Sequence, residues 1–155
     1  GKNRYWFGSI DPADPPPRKV TAADGHLMPY LENNQAALQN PAKMPGKVRL
    51  TYDGGSGGYG YNSTYLAPTT FSAGVPTWTP IKLISVKSTS ATVAFANCAG
   101  SDPGVGVNGA APQLVEVLTA SPPSSQYPTL HFRQHRVANV LFLDGHVEGR
   151  TEGTR

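Results

Sequence analysis

The chain has 155 residues, 38% of them hydrophobic and 15% charged, with 17 glycines, 15 prolines and a net charge of +3. That length fits a single domain over residues 1–155 with a real core, and the glycine and proline load argues for many turns and long connections, which excludes a helical bundle. The cationic side chains are scattered apart from Arg133 and Arg136, so the concentrated stripe that a nucleic-acid interface needs is missing.

Residues 1–23 open with the aromatic run Tyr5-Trp6-Phe7 and continue through Asp11 to Pro17, whose prolines exclude helix and central strand and predict an extended surface loop. A short helix is expected over 24–32. Asp24 would cap it, Leu27, Met28 and Leu31 would share a face, and Pro29 lies near enough to the start to be accommodated. His26, beside that apolar face, reads as structural. Asn33-Asn34 ends the helix and Asn40-Pro41 marks a turn.

Lys47 to Tyr52 alternates, predicting a strand with Val48, Leu50 and Tyr52 inward. The glycine-rich loop 53–58 lacks the spacing of a phosphate cradle. Tyr59 to Tyr65 reads as irregular strand or turn, and Asn62-Ser63-Thr64 fits an N-glycosylation triplet at Asn62. Pro68 to Pro80 reads as a loop whose Phe71 and Trp78 cover core, and Ile81 to Ile84 as a short helix or an edge strand. Ser90 to Ala96 is a short apolar strand. Cys98, the one cysteine, has no intrachain disulfide partner and reads as a small buried apolar residue. A glycine-rich loop with Asp102 and Asn108 follows, then a strand over 113–119, stopped by Pro122-Pro123.

The densest signal lies at 130–149. Val137 to Leu143 is rich in β-branched and aromatic types, Asp144-Gly145 reads as a tight turn, and His146, Val147 and Glu148 begin a return strand. Strands gathered toward the C-terminal half and one early helix make the class α+β with an antiparallel sheet. No stretch is long and apolar enough to span a bilayer, and Gly1 to Phe7 lacks the order of a secretory signal. The expectation is a mature start at Gly1 or the removal of something upstream.

The phrases Met28-Pro29-Tyr30-Leu31, Tyr59-Gly60-Tyr61-Asn62, Ser90 to Asn97 and Ala138 to Val147 stand in an order that resembles the prepilin-type processing-associated family. These are type IV pilin-like and pseudopilin-like proteins whose C-terminal domain ends in a histidine, a spacer and Asp-Gly. The phrases span residues 28–149. Departures are specific. Eight residues separate His135 from Asp144, one fewer than the family spacing, and twelve separate His131 from it. Asn40-Pro41 stands where many relatives have Cys-Pro, and the N-terminal hydrophobic helix of prepilins is not in this sequence.

The resemblance implies a pilin-like globular head, with an antiparallel sheet and long Gly/Pro-rich loops. It implies a structural subunit of a type IV pilus-like or type II secretion pseudopilus-like filament, without catalysis. The expected setting is extracytoplasmic, at the cell surface or in an extracellular filament, with the precursor anchored in the inner membrane. The expected partners are further pilin-like subunits, met through loops 11–17, 53–58 and 99–112, and a hydrophobic helix lying upstream in the precursor or on a separate chain.

His131, His135, Asp144 and His146 form the only cluster with metal or acid–base character, because a divalent ion needs several convergent nitrogen or oxygen donors. The competing reading makes Asp144 and Gly145 turn residues and the histidines backbone partners, and we adopt it, so no metal or cofactor is expected. Calcium occurs in acidic loops of some pseudopilin relatives, but Asp53 and Asp102 each lack a neighbouring carboxylate. Two rival functions follow. One is a secreted glycan- or surface-binding module in which Trp6, Trp78, Tyr59, Tyr61 and Tyr65 stack on sugars rather than pack in the core. The other is a metal-dependent enzyme built on the histidine cluster; nucleophilic catalysis has no Gly-x-Ser-x-Gly elbow to support it.

Overall fold

The β-rich run at the C-terminal end becomes the strand Val137–Phe142, one of the two inner strands of a four-stranded antiparallel sheet. The sheet order is Val147–Thr151, Val137–Phe142, Val93–Asn97, Tyr59–Tyr61. The computed structural model describes residues 1–42, 48–54, 56–72, 75–101, 114–122 and 129–153. Around the main sheet lie several two- and three-stranded pairings and short helical turns. Among the described residues no helix exceeds four residues.

Alternation sets the two faces of the main sheet. Ala138, Val140 and Phe142 are buried on one face, as period-two patterning requires. Ala96 lies opposite Val140 and Gly60, whereas Phe95 lies opposite Leu141 and Tyr61. The register shifts between Leu141 and Phe142, so Phe142 pairs with Val93 and keeps its ring on the Val140 face. Gly60 permits a close crossing. A Cβ there would stand 2.7 Å from Cys98 Sγ and 2.7 Å from the backbone of Thr119, which bridges Tyr61 in parallel.

Both ends of the Val137–Phe142 strand are tight turns. At its C-terminal end the Gly145 N–H donates to the Phe142 carbonyl (3.0 Å), the Phe142 N–H donates to the His146 carbonyl (2.9 Å), and Gly145 has φ +94°. The expected hairpin is therefore present, with a three-residue loop, Leu143 to Gly145, in which glycine alone takes the left-handed region. At the other end Gln134 and Val137 exchange backbone hydrogen bonds (3.2 and 2.9 Å) across His135 (φ +51°) and Arg136 (φ +66°). That is a two-residue loop with both central residues at positive φ, normally an Asn-Gly position. A His-Arg pair does not advertise it.

The N-terminal layer departs further from expectation. The helix over 24–32 is instead two 3-10 turns, Ala22–Asp24 and Met28–Leu31, followed by a third, Gln35–Leu38. Pro29 cannot donate to a longer ladder, and Glu32 and Asn33 adopt left-handed φ (+53° and +56°), which ends the turn. Asp24 closes the first turn rather than capping the second, and its carboxylate accepts from the Ser9 hydroxyl (2.5 Å). The 11–17 segment is the expected surface loop, begun by an Asp11 side chain that accepts from the Ala13 N–H (2.9 Å).

The strand expected over 47–52 is split. Val48–Arg49 pairs in parallel with Leu114–Val115, and Tyr52–Asp53 in parallel with Arg18–Lys19. Between them the chain bends around a buried carboxylate, Glu116, which takes the Thr51 and Tyr52 N–H groups; Leu50 is turned outward instead of inward. Among the described residues of the run expected as a strand over 113–119, Leu114–Val115 is strand, the Glu116 N–H donates to the Arg49 carbonyl (3.0 Å) and Thr119 bridges Tyr61. Residues 68–80 are not a plain loop: Thr69–Ser72 and Val75–Trp78 form an antiparallel hairpin, and Phe71 and Trp78 are exposed rather than covering core. Asn62 caps a four-residue α-helix, Ser63–Leu66, and Leu83–Ser85 is a 3-10 turn. Asp102, Asn108, Gln113, Pro123 and most of the 99–112 loop lie outside the described residues.

Candidate functional site

The main sheet carries apolar side chains on both faces, and the two faces end differently. On one, Phe95 meets Trp6 edge-on (5.2 Å between ring centroids) and Tyr61 at 5.2 Å. Trp6 continues into Phe7 (5.0 Å) and the core of Ile10, Met28, Leu38 and Tyr52. The N-terminal layer packs on that face, where Tyr61, Phe95 and Leu141 remain half-buried. On the other, Val93, Ala96, Val140 and Phe142 form the floor of an open groove of about 960 Å³, walled by Leu66, Ile81, Val86, Ala120 and Leu130. Arg150 is the only charged side chain among its described lining residues. Its guanidinium lies 5.7 Å from the centroid of the Phe142 ring, and His146 stacks on that ring at 4.3 Å with planes 5° apart.

The predicted histidine cluster is divided. His146 and Asp144 meet: Nδ1 and Oδ1 are 2.6 Å apart, and Nε2 lies 3.3 Å from Glu148 Oε1. Asp144 also accepts from the His146 backbone N–H (3.2 Å), and these hydrogen bonds hold its carboxyl below the usual carboxylate range. The hydrogen bond to Asp144, then Glu148, raises the imidazole. His131 and His135 lie before the six-residue strand Val137–Phe142, whereas Asp144 and His146 lie after it. A strand of that length spans about 20 Å. His135 sits exposed in its left-handed turn. His131 donates its backbone N–H to the Asn97 carbonyl (2.9 Å), and burial, followed by the charge of Arg133, lowers its ring. Among the described residues no group of three or more His, Cys, Asp or Glu is placed to hold a metal ion. Asp53 sits in a strand opposite Lys19, not in a calcium loop.

Asn62 is only 7% exposed. Its Nδ2 donates to the Val93 carbonyl (2.8 Å) and its Oδ1 accepts from the Tyr65 N–H (3.4 Å). In the folded domain this side chain, the one expected in an N-glycosylation triplet, serves as a helix cap and strand tie. Of the aromatics offered to sugars, Trp6, Tyr59 and Tyr61 are partly buried, while Trp78 and Tyr65 face solvent. Cys98 is buried, and burial pushes its thiol up to about 12, which disfavours the nucleophilic thiolate.

Sequence reading missed the polar groups that hold these elements in place. Glu116 is 4% exposed and accepts from the N–H groups of Thr51 (3.1 Å), Tyr52 (3.1 Å) and Ser56 (3.0 Å) and from Ser56 Oγ (2.7 Å). Asn97, also buried, accepts the Asn139 N–H (2.9 Å); Asn139 donates to Gln134 (2.7 Å), and Gln134 to Asn40 (3.4 Å). Arg133 donates to the Cys98 carbonyl (2.5 Å), and burial lowers its guanidinium. Glu148 had a legible signal, since residues two apart on the return strand share a face and place it beside His146. Comparison with protein-family models, curated proteins and solved structures finds no match to this chain.

Proposed function

We propose that this domain is the globular head of a filament subunit of the type IV pilin-like or pseudopilin-like kind, with the groove receiving an apolar helix. The observation that carries the reading is the open apolar groove that borders the Val140 face of the main sheet. A sheet apolar on both faces needs a packed layer on each. The N-terminal residues supply one layer; the other face ends in an open apolar groove. A helix about 10 Å across fills on the order of 120 Å³ per residue, so about 960 Å³ holds about two turns. The occupant lies upstream in a precursor or on a separate chain, and the head faces outward, extracytoplasmic, in a filament. The reading requires no cofactor and no catalytic residue. The phrases at 28–31, 59–62, 90–97 and 138–147 give it its family character.

Sheared surface filaments from cells expressing the full coding sequence test it. The chain should be found in them, and Ile81→Lys, at the exposed rim of the groove, should remove it while the isolated domain keeps its melting temperature. A chain recovered only as free monomer would overturn the proposal. The glycan-binding reading draws on exposed Trp78 and Tyr65; a glycan array on which the wild-type domain binds nothing removes it.

A further inference from the structure

Four large apolar side chains face solvent yet do not line the groove, so an occupant seated there would leave them uncovered: Phe71 (73% exposed), Trp78 (54%), Leu83 (59%) and Ile84 (94%). Thr69 pairs with Trp78 and Phe71 with Pro76. Residues two apart on a strand share a face, so Phe71 and Trp78 are diagonal neighbours on one face of the hairpin. The hairpin forms a two-stranded sheet of its own. Its base is tied to the body by the Thr79 N–H to the Pro68 carbonyl (3.2 Å) and the Ile81 N–H to the Leu66 carbonyl (3.0 Å). The chain then runs into the turn bearing Leu83 and Ile84, flanked by exposed Lys82 and Lys87. From Gly54 to Ser101 the sequence has two lysines and no acidic residue.

Charge chooses the occupant. A self-complementary contact between two copies would set Lys82 and Lys87 against their equivalents with no carboxylate in the arm to pair them. A sugar needs polar partners beside its stacking faces, and Leu83 and Ile84 offer none. A bilayer surface uses every feature. Aromatic rings suit the headgroup level, aliphatic side chains enter the acyl boundary, and lysines reach the phosphates. We propose that the 69–87 arm docks on anionic phospholipid surfaces, with Phe71, Trp78, Leu83 and Ile84 entering the interface and Lys82 and Lys87 facing phosphate groups. The inference does not rest on the filament reading.

The test is co-sedimentation of the intact 155-residue chain with vesicles of phosphatidylcholine alone and with phosphatidylglycerol added. Binding should require the anionic lipid and weaken with salt. Lys82→Gln and Lys87→Gln should each lower partitioning about five-fold. The double variant Phe71→Ser/Ile84→Ser should lower it at least about ten-fold. All four positions are exposed, so unchanged melting temperatures would show that the fold is intact. No sedimentation with anionic vesicles at low salt overturns the proposal, as does equal binding to neutral vesicles. Self-association abolished by Ile84→Ser would reassign the arm to a second copy, and glycan-array binding abolished by Trp78→Ala would reassign it to a sugar; either overturns it. Presence of the wild-type chain in sheared filaments reports on the other reading, so the two failures are distinguishable.

Discussion

Replacing Glu116 by alanine should be among the most damaging single changes available to this chain. The carboxylate holds four donors from three residues of another segment, at 2.7–3.1 Å, and is almost fully buried. The backbone ties between Glu116 N–H and the Arg49 carbonyl (3.0 Å), and between Thr51 Oγ1 and the Glu116 carbonyl (3.2 Å), survive the substitution. What is lost is the partner of the Thr51, Tyr52 and Ser56 donors. Each buried donor left unpaired costs about 1–3 kcal/mol, and because neighbouring losses do not add, the expected total is about 3–5 kcal/mol. For a chain of this size that lowers the melting temperature by about 6–20 °C. Urea unfolding followed by tryptophan fluorescence gives the free energy by linear extrapolation. Glu116→Gln is the sharper probe. One oxygen can still serve Ser56, but the new NH2 group faces the Thr51 and Tyr52 N–H groups as donor against donor, so it should recover less than half of the loss. In a double-mutant cycle with Ser56→Ala, the coupling should exceed about 1 kcal/mol. A Glu116→Ala loss below about 1 kcal/mol would refute the reasoning and show that water serves these donors as well as the carboxylate does.

The two turns that bound the central strand make opposite predictions. A Cβ on Gly145 meets nothing within 4 Å, so Gly145→Ala isolates the cost of φ +94° and should destabilise by about 1 kcal/mol, whereas His135→Asn with Arg136→Gly should stabilise by about 0.5 kcal/mol by matching residue type to positive φ; thermal melts check both. The His146–Asp144 pair should give a bell-shaped pH dependence. The raised His146 contributes fully below the ordinary histidine value, about 6.5, and loses its contribution as pH rises through its folded value; the depressed Asp144 contributes fully above about 4 and loses it as pH falls through its folded value. The melting-temperature difference between wild type and His146→Gln should therefore peak near pH 5–6 and shrink toward pH 3 and pH 9, with His131, whose lowered ring penalises acid pH, cancelling between the two proteins.

Local physics settled more of the C-terminal third than of the rest. β-branched and aromatic density placed the Val137–Phe142 strand, Asp144-Gly145 placed its turn, and apolar density placed the strand at Val93–Asn97, although its expected start at Ser90 lies in a 3-10 turn, Thr89–Ala91. A lone cysteine among apolar neighbours was legible as buried. These features depend on residues a few positions apart. Several of the failures involve partners or surroundings that no local pattern shows. The 47–52 run alternates as a strand should, but Glu116, more than sixty residues on, takes two of its N–H groups and breaks it. Phe71 and Trp78 were assigned to core by residue type alone, yet their hairpin pairs only with itself, and no local pattern says whether a ribbon folds back onto the body. The histidines looked like one cluster because sequence distance was short, but the strand between them is extended and carries them apart. Sequence by itself determined where strands and turns can form, since propensity and φ preference are local. Only tertiary structure decided which apolar face receives the N-terminal aromatics and which borders a groove, because packing depends on what the rest of the chain brings to each side.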